Sequence, residues 1–211
     1  MKRNKTLSRH SMKIVLARHG ETVFNRDRII MGRSDADLTE DGIRVAKDVA
    51  DLVAKEQIEA AFCSPLPRAL RSARIYTNDI GVSLSVQEAM AELACGEWEG
   101  MSKLAAKPDP HLIRDTWDDR PPGGESYRDA ENRVGLFIDQ IRHEIADSRL
   151  LIVGHAGVNR VFLRLWLGLA PEDAIKIRCP HDTIFILDGG SKVRANSVSM
   201  GTFDGLLMDR K

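Results

Sequence analysis

The 211-residue sequence predicts an α/β layer fold, three-layer α/β/α with a mostly parallel central sheet. Three observations carry that prediction. Short β-branched apolar runs alternate with longer stretches whose apolar residues recur at helical spacing. Several of the short runs end in loops that carry glycine, arginine or histidine, as expected where a sheet presents a binding site at its carboxyl edge. No internal repeat, low-complexity segment or long linker interrupts the chain, so residues 12–211 are expected to form one domain with room for a real core.

In chain order, Lys13–Ala17 is a first buried strand ending at Arg18-His19-Gly20. After a polar loop to Leu38, Thr39 is a good N-cap, and Glu40 and Asp41 suit the positive end of a helix dipole. Ile43, Ala46, Val49, Ala50 and Val53 give that helix its apolar face, to about Lys55. Ala60–Cys63 is a second strand broken by Ser64-Pro65, and Pro67 opens a helix that runs to about Asn78. Ser83–Val86 reads as a third strand.

Residues 91–124 hold Gly96, Gly100, Pro108, Pro110, Pro121, Pro122, Gly123 and Gly124, and read as an irregular lid. Beyond it, Tyr127, Ala130, Val134, Phe137, Ile138, Ile141 and Ile145 form one helical stripe. Leu150–Val153 is a fourth strand ending at Gly154-His155, and Val158–Leu167 has the apolar density of a buried helix. Ala174–Arg178, Thr183–Leu187 and Val193–Val198 read as closing strands.

Composition narrows the function. Thirty-one basic residues balance 31 acidic ones, which argues against nucleic-acid coating. The balance is uneven: residues 1–18 carry six bases and no acid, leaving the rest at a net −6. Residues 1–11 are expected to be a disordered basic extension, with Met12 an alternative start. Cys63, Cys95 and Cys179 are too scattered for a disulfide framework, so a reducing, cytoplasmic compartment is expected. No apolar run approaches the roughly 18 residues of a membrane span. Neither His-x-His nor His-Glu-x-x-His occurs, and neither phosphate-binding glycine pattern of nucleotide folds, so no metal and no cofactor are expected.

The chemistry lies at the strand ends. Arg18-His19-Gly20-Glu21-Thr22, with Asn25 beyond, gathers a guanidinium, an imidazole and backbone donors, although alone it is compatible with a solvated turn. Ser64-Pro65-Leu66-Pro67-Arg68-Ala69 puts Arg68 in a helix's first turn, where the dipole already favours an anion. Gly154-His155-Ala156-Gly157 lets a ligand approach the backbone closely. Glu92, in Glu92-Leu93-Ala94-Cys95-Gly96-Glu97-Trp98-Glu99-Gly100, is by itself one acid among several.

Taken in order with Pro122-Gly123-Gly124-Glu125-Ser126, these segments resemble the histidine phosphatase superfamily, in the branch that includes cofactor-dependent phosphoglycerate mutases. The matches run from about residue 13 to 190. Phe24 stands where Trp is usual and Met31 where Gln often precedes the glycine at Gly32. Ser72 replaces the usual Thr. None of these removes a catalytic group.

The resemblance implies a phosphoglycerate mutase-like fold, with His19 as nucleophile, Arg18, Arg68 and His155 around the phosphoryl oxygens, and Glu92 as the proton donor and acceptor. Asn25, Gly32 and the Ala156 N–H are further candidates for substrate binding. Trp117, in the lid, is a candidate contact for the organic part. His181-Asp182-Thr183 is similar to the His-Asp element of the acid-phosphatase branch. There the pair leads into a helix, whereas the β-branched and aromatic run Thr183–Leu187 reads as a strand. His155 therefore fits the phosphate-binding role, and His181 is a candidate on the leaving-group side.

Glu92 and Glu125 are 33 positions apart, with Lys103, Lys107, Arg114 and Arg120 as the bases between. This shorter lid favours a phosphatase acting on a small phosphate ester, with α-ribazole phosphate a candidate substrate. The alternatives are a phosphoglycerate mutase and a catalytically silent interaction protein on the same fold. Monomer and homodimer both remain open.

Overall fold

The computed structural model describes residues 12–103, 114–145, 148–189 and 192–209. Seven strands form one sheet in the order β3-β2-β4-β1-β5-β6-β7. They are β1 (Lys13–Arg18), β2 (Ala60–Cys63), β3 (Leu84–Val86), β4 (Arg149–Gly154), β5 (Thr183–Asp188), β6 (Val193–Ser197) and β7 (Gly201–Asp204). The core strands β3, β2, β4 and β1 run parallel, and β5, β6 and β7 extend the sheet in antiparallel fashion.

The period of two along each strand sorts side chains into two layers. Ile14, Leu16, Leu150, Ile152, Phe185 and Leu187 face α4 (Tyr127–Glu144) and α5 (Ala156–Leu167), meeting Val134, Phe137, Val158 and Phe162. Val15, Ala17, Leu151, Val153, Ile184 and Ile186 face the other way, onto Ala46, Val49 and Val53 of α2 (Glu40–Ala54) and Ala73 and Tyr76 of α3 (Pro67–Thr77). Each such burial stabilises the fold by about 1.5–3 kcal/mol before chain entropy is counted.

Local chemistry sets the helix starts. The Thr39 hydroxyl accepts the Gly42 N–H at 2.8 Å. Ser126 and Asp129 form a reciprocal capping box at the head of α4. Pro67 occupies the first turn of α3. Two four-residue helices, α1 (Val23–Arg26) and α6 (Pro171–Ala174), complete the set.

The expected strand over Ala174–Arg178 is not formed. Pro171 starts a helical turn there, with Glu172 and Asp173 in its first turn, and only Ile177 makes an isolated bridge, to Met208. Strand β7 is an addition, a polar edge (Gly-Thr-Phe-Asp) that carries almost no apolar signal. The expectations for residues 1–11, Lys107, Pro108 and Pro110 lie outside the described residues. No described helix is long and apolar enough to cross a membrane.

Candidate active site

Register brings the chemistry together. Arg18 pairs with Gly154, and Cys63 with Val153, so the residues following β1, β2 and β4 emerge at one level of the sheet. His19, Ser64 and His155 are those residues.

The backbone around His19 is held by side chains. Asn159 donates to the Ala17 carbonyl at 3.0 Å, Tyr76 to that of Arg18 at 2.8 Å and His181 Nδ1 to that of His19 at 2.6 Å. The Ser72 hydroxyl accepts the Gly20 N–H at 2.8 Å, so serine fills the place where threonine is usual. A Cβ on Gly20 would come within 2.9 Å of the Gly42 carbonyl, which explains the glycine.

These contacts determine the imidazole's tautomer. His19 Nδ1 lies 2.7 Å from the Gly20 carbonyl, and a carbonyl only accepts, so Nδ1 carries the proton and Nε2 the lone pair. His19 is 2% exposed and opens on a cavity of about 420 Å³. Burial, reinforced by His155, Arg18, His181 and Arg68, holds it well below the usual imidazole range. A neutral nitrogen nucleophile is therefore present at neutral pH.

Cationic and polar donors surround it. His155 packs 5.0 Å from His19, fully buried, with Nε2 on the Ser64 hydroxyl at 2.7 Å and Nδ1 without a partner among the described residues. Burial, then Arg68 and Arg18, keep His155 neutral as well. Arg68 is 1% exposed and sends Nη1 to the Ser34 carbonyl at 2.6 Å and Nη2 to that of Gly32 at 2.7 Å. Arg18 donates to the Cys179 carbonyl at 2.9 Å. Burial pushes Arg18 down to about 10, so it stays charged at neutral pH.

Glu92 closes the ring. Its carboxylate accepts from the N–H groups of Gly157 at 3.1 Å and Val158 at 2.9 Å, at the start of α5, which has no side-chain cap of its own. A Cβ on Gly157 would meet Glu92 Oε1 at 2.6 Å, so glycine is what lets the acid approach.

A nucleophilic imidazole, a cluster of fixed cations and one carboxylic acid around a small cavity form a phosphoryl-transfer constellation. The family comparison agrees: a family model, the histidine phosphatase superfamily (branch 1), matches residues 14–195. The chain belongs to the histidine phosphatase superfamily. The 2,3-bisphosphoglycerate-dependent phosphoglycerate mutase of Azorhizobium caulinodans is 29% identical over 175 residues, 77% of this chain and 85% of that protein.

Two solved structures share the fold. The alpha-ribazole phosphatase of Shigella flexneri gives a TM-score of 0.72 at 24% identity, covering 94% of this chain and 96% of that one. A mycobacterial glucosyl-3-phosphoglycerate phosphatase gives 0.74 at 22%, covering 94% and 99%.

Within this histidine phosphatase most of the expected residues converge. Arg18, His19, Asn25, Gly32, Arg68, Glu92 and Ala156 all line the cavity. Asn25 also caps α1, its Oδ1 accepting from Thr22, and Gly32 takes the positive φ of 52° that its turn requires. His155 and His181 both pack against His19, ring centroids 5.0 and 5.3 Å away, and neither lies on the cavity wall.

Trp117 is a correction. It is 3% exposed, stacked on Tyr127 at 4.6 Å, with Nε1 donating to Glu131 at 2.7 Å, and it does not line the cavity. Met31, in place of a polar residue, contributes to an apolar wall with Ile29, Ile30 and Leu93.

Among the lining residues that sequence reasoning did not place at the site are Tyr127, Trp98 and Arg160. A signal for Arg160 existed, since a cation inside the apolar run Val158–Leu167 is unusual in a buried helix. Arg114, one of the lid bases, reaches the cavity as well, which its position in the chain does not indicate.

Proposed function

We propose that this chain is a phosphomonoesterase that hydrolyses a small phosphorylated metabolite through a phosphohistidine on His19. The observation that carries the reading is the His19 tautomer, with Nδ1–H fixed on Gly20 and the Nε2 lone pair left for phosphorus, on a cavity lined by Arg18 and Arg68 and with His155 packed against the ring.

In the first half-reaction Nε2 attacks phosphorus in line as the ester P–O bond breaks. Glu92, carrying a proton, gives it to the departing alkoxide oxygen. Arg18, Arg68 and the His155 Nδ1–H stabilise charge on the equatorial oxygens, where fixed donors matter most. With Nε2 phosphorylated, Nδ1–H stays on the Gly20 carbonyl and stabilises the charged ring. In the second half-reaction water attacks phosphorus, its proton passes to the Glu92 carboxylate, and the P–N bond breaks to release phosphate. Arginines supply the positive charge, so the reading uses neither metal nor cofactor.

Acid-quenching during turnover of a labelled phosphomonoester tests this. Label is expected on His19 and absent from His19→Ala, which also loses turnover. Label on His155 instead would reverse the two roles, and unchanged turnover in His19→Ala would remove the mechanism. The solved relatives named for alpha-ribazole and glucosyl-3-phosphoglycerate support a phosphatase over a silent binding protein. The mutase reading is supported by the Azorhizobium relative. It requires 2,3-bisphosphoglycerate to promote interconversion of monophosphoglycerates faster than their hydrolysis.

A further inference from the structure

The lid leaves and rejoins the domain through a neck between Ala94 and Glu125, and the two ends are tied to each other. The Glu125 N–H donates to the Ala94 carbonyl at 2.9 Å, and the Ala94 N–H donates to Glu125 Oε2 at 3.0 Å. The same carboxylate oxygen accepts from Arg33 Nη2 at 3.0 Å and from Arg133 Nη2 at 3.3 Å. Donors from three separate parts of the chain thus meet on one atom.

Both arginines have a second grip, and in each case it is on the backbone that carries Glu92. Arg33 Nε donates to the Glu92 carbonyl at 3.2 Å. Arg133 Nη1 donates to the carbonyls of Ala89 and Ala91, the latter at 2.9 Å. Backbone groups on both sides of Glu92 are therefore held by Glu125, directly or through an arginine. Neither Glu125 nor Arg33 nor Arg133 lines the cavity, so any effect they have on the reaction passes through Glu92.

The hold matters most at one stage of the reaction. As a carboxylate, Glu92 is fixed by charge-assisted hydrogen bonds from the Gly157 and Val158 N–H groups. Once protonated, it accepts those groups more weakly, because the charge that strengthened them is gone. Its reach toward the leaving oxygen is then set by its backbone.

We infer that Glu125, gripping Arg33 and Arg133, is a positioning residue that holds Glu92 in place for proton transfer to the leaving group. The inference rests on the phosphatase reading and adds to it the part that aims the acid. An ion cluster that served only stability would affect every substrate alike.

Glu125→Gln and Arg33→Gln test this, each assayed on an alkyl phosphate and a nitrophenyl phosphate in one preparation. The rate of the first half-reaction with the alkyl ester is expected to fall about 10–100-fold, the scale of a misplaced catalytic group. With nitrophenyl phosphate, whose leaving group needs little protonation, it should stay near native. The ratio of the two rates does not depend on the folded fraction, and Arg33 is half-exposed, so its variant serves if Glu125→Gln fails to fold. In a Glu92→Gln background the same substitutions should cost nothing further, since the group they position is already lost.

An unchanged alkyl rate overturns the clamp, as do equal losses with the two esters or undiminished losses in the Glu92→Gln background. A native protein that hydrolyses neither ester would instead end the phosphatase reading, and this inference with it.

Discussion

His181 donates its Nδ1 proton to the backbone carbonyl of His19 across 2.6 Å, and the two rings meet edge to face with centroids 5.3 Å apart. In the proposed mechanism His181 would therefore position the backbone of His19 rather than touch substrate. His181→Ala leaves that carbonyl unpaired, at a cost of about 1–3 kcal/mol in urea unfolding. It should also lower kcat about tenfold, the scale of one lost positioning contact. His181→Asn, which keeps an amide donor, should recover most of the rate. A full rate in the alanine variant would show that the contact does not position His19.

Glu92→Gln tests the proton donor. The amide oxygen can still accept from Gly157 and Val158, so the local fold should survive. Alkyl phosphates, whose leaving oxygen needs a proton, should slow by about 10²–10⁴ in kcat. A nitrophenyl phosphate, with a good leaving group, should slow far less in its first half-reaction, read as the burst of nitrophenol. Equal losses for both would argue that Glu92 acts only by charge.

Arg68→Lys tests the fork. Lysine cannot serve the Gly32 and Ser34 carbonyls and the phosphoryl group together. The variant should lose about 10²–10³ in kcat. Its melting temperature should also fall, since the loop at Gly32 loses its anchor.

Buried neutral histidines predict acid lability. His19 and His155 are held well below 6.5 by burial and neighbouring cations, and His181 is pushed down to about 3 by burial and then Arg18. Between those values and 6.5 the unfolded chain binds protons that the folded chain does not, so stability falls as pH falls. Each histidine contributes a slope of about 1.4 kcal/mol per pH unit in that window. Urea midpoints should drop steeply from pH 6.5 toward 5, and His181→Asn should flatten the slope by about one third. A midpoint independent of pH over that window would contradict the neutral assignment.

Chelation offers a further check. Among the described residues no group of three or more His, Cys, Asp or Glu side chains is placed to hold a metal ion. With guanidinium groups carrying the charge, EDTA should leave phosphatase activity unchanged. Strong inhibition, reversed by a divalent cation, would require a different mechanism.

Much of this was legible in the chain. β1 and β4 are continuous apolar runs, as strands buried on both faces are, and the N-cap at Thr39 and the proline at the head of α3 place α2 and α3. Motif order alone brought His19, Arg68, Glu92 and His155 to one site. What stayed hidden depended on tertiary packing. Trp117 looks like a lid residue by position, yet a stacking partner ten residues on draws it into the core. Ala174–Arg178 alternates like a strand, but Pro171 and the acids after it start a helical turn. Arg160 sits in an apolar helix, and only the fold shows that its side chain reaches the cavity beside Tyr127.

The sheet order has a consequence for how the molecule comes into being. β1 opens the described chain at Lys13, yet its partners on either side are β4, which begins at Arg149, and β5, which begins at Thr183. Pairings this distant in sequence close late, because the intervening chain must be ordered first. His19 lacks its flanking imidazoles until both partners have docked. A nascent or half-folded chain is therefore inert, and recovery of turnover during refolding should trace the final closure of the sheet.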